Sequence, residues 1–329
     1  MGPASASADH GARFDLLALG EPLIEFNADA RDDRCLRGFG GDVSNVAVAA
    51  ARLGARTGFL GAVGADAFGD DIMALWAREG VDTACVRRDP QAPTGAYLVE
   101  HGGAQGHRFA YLRAASAATR YRLDDPARAA LASTRILHLS AISQGISLAA
   151  CDTGFEAMAL AREAGARIAY DTNLRLALWP LPRARAIIRE ALRLCDIALP
   201  GHEDAAKIFG TQDPDALVDH CLEAGCAVVA MTLGAQGAII ATPDERRRIP
   251  AFPVTARDAT GAGDAFDAAF LVHLQETGDA FAAGEHACIA AALSTTGYGA
   301  IAPLPDRKAV AAARASASAS ASASADGGG

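Results

Sequence analysis

Between Asp258 and Phe270 the chain reads DATGAGDAFDAAF, with a carboxylate set directly behind three small residues. Gly261, Ala262 and Gly263 carry no side chain large enough to keep an anion away from the main chain. Their N–H groups fall where a helical run begins, and a helix N-terminus favours negative charge through its unpaired N–H groups and its dipole. The turn therefore predicts an anion hole. Asp264 stands in the first turn of the same helix, beside the place a phosphoryl group would occupy, where a carboxylate can accept a proton from an alcohol. Loss of one donor from comparable anion holes costs about 2.7–4 kcal/mol of transition-state stabilisation, so such a turn can carry much of a rate enhancement. Taken alone, the segment also fits a simpler reading, a glycine turn with Asp264 as a plain helix N-cap.

The elements that must position this turn follow a βαβ grammar. Short β-prone runs (FDLLALG at 14–20, TGFLGAVG at 57–64, RILHLS at 135–140, RIAYD at 167–171, CDIALP at 195–200, CAVVAMTLG at 226–234) alternate with Ala-rich stretches of helical period. The predicted fold class is α/β, a doubly wound, mostly parallel sheet with helices on both faces. Two stretches, 21–41 and 92–113, break the rhythm and are expected to pair as a small β-sheet lid. The opening residues 1–12 and the Ala/Ser/Gly alternation at 314–329 are low in complexity and are expected to lie outside a single domain spanning 13–308.

Bulk composition limits the function. With 329 residues, 51% of them hydrophobic, the chain can bury a large core without disulfides or metals. A net charge of -9 argues against a nucleic-acid surface, whose affinity draws on clustered Lys and Arg. The seven cysteines show no CxxC spacing, which suits idle thiols in a reducing compartment. No apolar run is long enough to cross a bilayer, and the cytoplasm is the expected location.

The Asp258–Phe270 segment resembles the second signature of the ribokinase-like (PfkB) carbohydrate kinases, and GGDVSNVAVAAARLG at 40–54 resembles the first, in the family's order. Ala259 departs from the usual residue of the second signature at a position away from the acid. The likeness continues through 61–72, 171–180 and 232–237. It implies a ribokinase-like fold with a β lid, ATP and Mg2+, and a hydroxymethyl acceptor, with no P-loop. By resemblance, Asp264 is the catalytic base and Gly261, Ala262 and Gly263 form the anion hole. Asn173, Gly201, Thr232, Gly234, Gly237, Gly261 and Gly263 would meet the nucleotide. Gly40, Gly41, Asp42 and Asn45 would line the sugar site, with the last two offering hydrogen bonds to hydroxyls, although Asp42 and Asn45 also suit a cap and turn. Many members carry Asn-x-x-Glu near the metal; here the stretch reads Gly201-His202-Glu203-Asp204, leaving Asp204 or Glu203 as the candidate metal carboxylate.

Cations and aromatics crowd the acceptor end. Arg175 follows the strand RIAYD at the sheet edge where doubly wound folds bind ligands. In an alternating strand Tyr111 and Arg113 share one face, and Tyr97 lies in the preceding lid strand. A guanidinium matches a carboxylate, whereas a neutral hexose has no use for one. The alternatives are a core partner for Arg175 and a solvated Arg113. Together with GEPLIEF, AYLVE, FAYLR and DTNLRLALWP, these residues resemble the 2-dehydro-3-deoxygluconate kinases, which implies phosphorylation of the 6-hydroxyl of that acidic sugar. Fructokinases and 5-dehydro-2-deoxygluconate kinases share related segments, and a non-catalytic sugar- or nucleotide-binding protein is the reading from another class. The lid's outer face could also support a homo-oligomer, as in some relatives.

Overall fold

A computed structural model describes residues 12–28, 34–101 and 107–326, with side chains described outside 101–108 and 318–326. Strand β1 (Phe14–Leu19) is followed by β2 (Leu23–Ala28), β3 (Cys35–Gly40), helix α1 (Asp42–Arg52), β4 (Thr57–Gly64) and α2 (Ala67–Glu79). Next come β5 (Val86–Asp89), β6 (Gly95–His101), β7 (His107–Leu112), α3 (Asp125–Leu131), β8 (Thr134–Ser140), α4 (Ala141–Gly145) and α5 (Leu148–Glu163). The chain continues through β9 (Arg167–Asp171), α6 (Leu181–Leu194), β10 (Ile197–Leu199), α7 (His202–Phe209), α8 (Pro214–Glu223), β11 (Val228–Thr232), β12 (Ala238–Ala241) and β13 (Arg246–Ile249). It closes with α9 (Ala262–Thr277), α10 (Ala280–Ser294) and α11 (Arg307–Asp326).

Nine strands form one sheet in the order β13-β12-β11-β10-β9-β8-β1-β4-β5. The run from β11 to β5 is parallel, and β12 and β13 extend its far edge antiparallel. Strand alternation explains the two cores. Leu16 and Ala18 of β1 face the side covered by α1, α2, α9 and α10, while Leu17 and Leu19 face the side covered by α3, α5, α6, α7 and α8. Because both faces are covered, β4 is buried along its whole length, as parallel sheets require.

The two rhythm-breaking stretches do pair, as a separate four-stranded sheet in the order β3-β2-β6-β7. The β2–β6 pair is parallel and its neighbours are antiparallel. The expected tail boundary needs correction. Residues 307–326 form α11, so much of the Ala/Ser alternation is helical. The first turns of α11 belong to the domain: Val310 is fully buried, and Ala313 packs against the same core. Alternating Ala and Ser carry no helix-breaking residue, and Ala has the highest helix propensity. The expectation for residues 1–11 lies outside the described residues.

Candidate active site

Parallel strands deliver their last residues to one edge. Asp171 ends β9, Leu199 ends β10 and Thr232 ends β11, and all three line a cavity of about 560 Å³. The N-termini of α1 and α9 open onto the same cavity, supplying Gly41, Asp42 and Asn45 from one and Gly261, Gly263, Asp264 and Asp267 from the other. The lid contributes Leu23, Tyr97, Phe109 and Tyr111. A second cavity, of about 510 Å³, lies between the loop after β13 and helix α10. The two share Thr232, Ala259 and Gly263 as a common wall, so one elongated ligand can reach from the apolar second cavity to Asp264.

Helices α1 and α9 pack side by side, which brings residues 219 positions apart into contact: Asn45 Nδ2 donates to Asp264 Oδ2 at 2.7 Å. Asp264 makes no capping bond; the helix is capped by Gly261, whose φ of 76° is left-handed. That geometry rules out the plain-cap reading. Burial pushes the Asp264 carboxyl up to about 7, reinforced by the Asp42 charge and opposed by the Asn45 amide and by Arg175. A carboxylate titrating near neutrality suits a general base. The turn itself is fixed by Asp258, which accepts the N–H and hydroxyl of Thr260 and the N–H of Gly299. A Cβ built on Gly263 would meet nothing within 4 Å. No protein atom therefore demands a glycine there, whereas a cradle for an anion does.

Asp42 is likewise no cap, since Gly41 holds that position at φ 97°. Its Oδ2 accepts from Ser140 Oγ at 2.5 Å and from Asn173 Nδ2 at 3.1 Å. Asn45 is 4% exposed and its Oδ1 has no partner, so an acceptor is left over for a hydroxyl-bearing ligand.

Several expected roles change. Gly40 does not line the cavity: a Cβ there would sit 2.4 Å from Tyr97 Oη, so this glycine makes room for the tyrosine. Tyr97 in turn donates to Glu25 at 2.5 Å, and burial raises its phenol further out of reach of ionisation. Gly237 lines the second cavity as expected, and its φ of 95° and a Cβ that would lie 2.0 Å from the Ile249 carbonyl oxygen require a glycine there too. Gly234 lines that cavity with open space above it.

The arginines are both engaged. Arg113 does share a face with Tyr111, its guanidinium 5.4 Å from the ring centre. It is not a solvated lid residue: it is 8% exposed and ion-paired with buried Glu21. Burial raises the Glu21 carboxyl, against the pull of Arg113 and of the Ser116 hydroxyl at 2.8 Å. Arg175 is about half-exposed, bonds the Leu174 carbonyl and lies 3.4 Å from Asp204.

Among the described residues no group of three or more His, Cys, Asp or Glu could cage a metal. Mg2+ bound to phosphates and water needs only one or two protein carboxylates, and Asp204 fits that role at the cavity wall beside Gly201. It already accepts the Leu174 N–H at 3.0 Å and lies 3.4 Å from Lys207. Glu203 is corrected: it is exposed and does not line the cavity. His202, which bonds the Gln212 carbonyl at 2.9 Å, is a surface residue.

Sequence reading missed Glu21, Ser140, Asp171 and Asp267. The carboxyls of Asp171 and Asp267 are both raised well above their ordinary value, first by burial and then by neighbouring acids. A signal existed for Asp267, which falls one helical turn after Asp264 and so on the same face. None existed for Glu21, whose partner Arg113 is 92 positions away.

A doubly wound sheet, a β lid, and a half-buried carboxylate at a glycine-walled junction of two cavities are the parts of a small-molecule kinase. The chain belongs to the pfkB family of carbohydrate kinases, whose profile matches residues 14–307; it is a phosphotransferase acting on a sugar. It is 35% identical over 269 residues to the 2-dehydro-3-deoxygluconokinase of Thermoproteus tenax, covering 79% of this chain and 82% of that enzyme. It is 30% identical over 298 residues to the fructokinase of Escherichia coli, covering 88% and 96%. The structure of a fructokinase with bound ATP from Xylella fastidiosa matches with a TM-score of 0.83 at 27% identity, over 92% of this chain and 98% of that one.

Proposed function

We propose that this kinase transfers the γ-phosphate of ATP to the 6-hydroxyl of 2-dehydro-3-deoxygluconate. The observation that carries the chemistry is Asp264, held by Asn45 at the junction of the two cavities and next to the Gly261–Gly263 turn. In this reading the acceptor occupies the lid-side cavity, with Asp42 and Asn45 hydrogen-bonding its hydroxyls and Tyr97 and Tyr111 covering it. The triphosphate crosses the shared wall. Asp264 takes the proton of the attacking hydroxyl; its oxygen bonds to the γ-phosphorus as the bond to the β-phosphate oxygen breaks, leaving ADP. The Gly261 and Gly263 N–H groups stabilise the transferring group, because no earlier helical carbonyl occupies them; the Ala262 N–H is taken by the Ala259 carbonyl at 3.1 Å. Mg2+, held at Asp204, would neutralise phosphate charge when bound. Six buried and unpaired cysteines suit a reducing, cytoplasmic setting.

The acidic acceptor is supported by the guanidinium groups of Arg113 and Arg175 on the same cavity and by the Thermoproteus tenax relative. A neutral acceptor, fructose, is the second reading, favoured by the fact that each arginine already has a carboxylate neighbour, Glu21 or Asp204. Steady-state kinetics with 2-dehydro-3-deoxygluconate, fructose and ribose decides between them. The acidic sugar is expected to give the highest kcat/KM, and a preference for fructose of about tenfold or more would overturn the first reading.

A further inference from the structure

The second cavity has a property that the phosphoryl-transfer chemistry does not require. One wall is a single face of α10, on which Cys288, Ala291, Ala292 and Thr295 recur at helical spacing; the other is the loop Ala251–Val254 with Ala256. Both walls are apolar and built mostly of small side chains, a surface suited to the face of a planar ring. The lining contains no Asn, Gln, Asp, Glu, Lys, Arg, His or Ser side chain, and of its two threonines Thr232 lies at the wall shared with the first cavity, on the phosphate side. The polar groups at the end of α10 are committed: Thr295 Oγ1 donates to the Ala292 carbonyl at 2.7 Å, and the Thr295 carbonyl accepts the N–H groups of Arg257 and Asp258. The Cys288 thiol is a weak donor and acceptor. The main chain of the loop is half-buried at 251–252 and exposed at 253–256, so water can replace a base-edge partner that its N–H and C=O groups do not match.

Adenine and guanine differ by reversing the donor and acceptor at positions 1 and 6. Only a site with a fixed, buried hydrogen-bonding group penalises that reversal heavily, by about 10⁴-fold or more. An apolar slot discriminates by shape alone, with selectivity nearer tens of fold than thousands. From these walls we infer that the enzyme selects its phosphoryl donor by the triphosphate and by the ring's flat apolar surface, not by the base edge, so that GTP and purine riboside triphosphate serve alongside ATP. The inference rests on the nucleotide occupying this cavity, as in the proposed function.

The test is kcat/KM of the full chain with ATP, GTP and purine riboside triphosphate, each with Mg2+, using 2-dehydro-3-deoxygluconate and, in parallel, fructose as acceptor. Calorimetric Kd values for the three nucleotides without acceptor provide a second readout. Both analogues are expected within about 200-fold of ATP in kcat/KM and in Kd. A loss greater than about 200-fold for either analogue overturns the inference while leaving the kinase reading intact. Absence of turnover and of binding with all three nucleotides would remove the kinase reading, and the inference with it.

Discussion

Replacing Asn45 with Ala tests the central geometry through a pH profile. In the wild type the carboxylate of Asp264 is the active form, and burial together with Asp42 places its titration at about 7. The acid limb of kcat/KM should therefore bend near pH 7, with about a tenth of full activity left one unit lower. Asn45 donates at 2.7 Å to one oxygen of that carboxylate. A hydrogen bond to an ionised group is worth about 1.5–3 kcal/mol and one to a neutral group about 0.5–1.5. Losing it thus disfavours the ionised form by about 1 kcal/mol or slightly more. At about 1.4 kcal/mol per unit, the limb of N45A should move up by about one pH unit. The readout is the limb's position, which survives any loss of sugar affinity in the variant. Asp264→Asn is the companion: kcat should fall by about a hundredfold or more and the limb should vanish from the residual rate. A limb that stays put or moves down in N45A refutes the proposed coupling, and a limb retained in D264N means that another group is titrating.

Three further outcomes follow from the same geometry. Gly263→Ala places its Cβ in open space, so thermal stability should hold or rise by up to about 1 kcal/mol, while kcat/KM for ATP falls at least about tenfold; unchanged kinetics would mean that no anion approaches there. Arg113→Ala, which leaves Glu21 buried without its ion pair, should destabilise by about 3–5 kcal/mol in urea unfolding, whereas Arg175→Ala at its half-exposed site should cost about 0–1; similar losses would contradict this assignment of burial. Because the folded-state value of Asp264 is raised, its contribution is most favourable below its unfolded value of about 3.9 and is lost as pH rises through about 7. Asp264→Asn should therefore raise the melting temperature relative to wild type at about pH 8.5 but not at about pH 4, and an equal change at both would sink the linkage.

Much of this molecule was determined by local sequence. Runs such as TGFLGAVG and RIAYD, apolar at nearly every position, can be satisfied only between two covering layers, so the doubly wound sheet and its edge site were legible from residue order. So was the Gly261–Asp264 turn, because the requirement for small residues before a helix N-terminus is itself local. Tertiary structure decided what depends on which distant group arrives next to which. Asn45 reaches Asp264 only because α1 and α9 pack together; burial at that junction lifts the carboxyl toward neutrality, and the Asn45 amide limits the rise. Glu21 captures Arg113 only once β1 and the lid strand β7 converge on one cavity. Gly40 reads as a ligand-binding glycine, but the structure gives it to the Tyr97 ring; Gly237 does line the second cavity, and the Ile249 carbonyl demands a glycine there as well. A glycine's sequence shows that space is needed without showing who occupies it, and burial and charge are sums over neighbours that no local window contains.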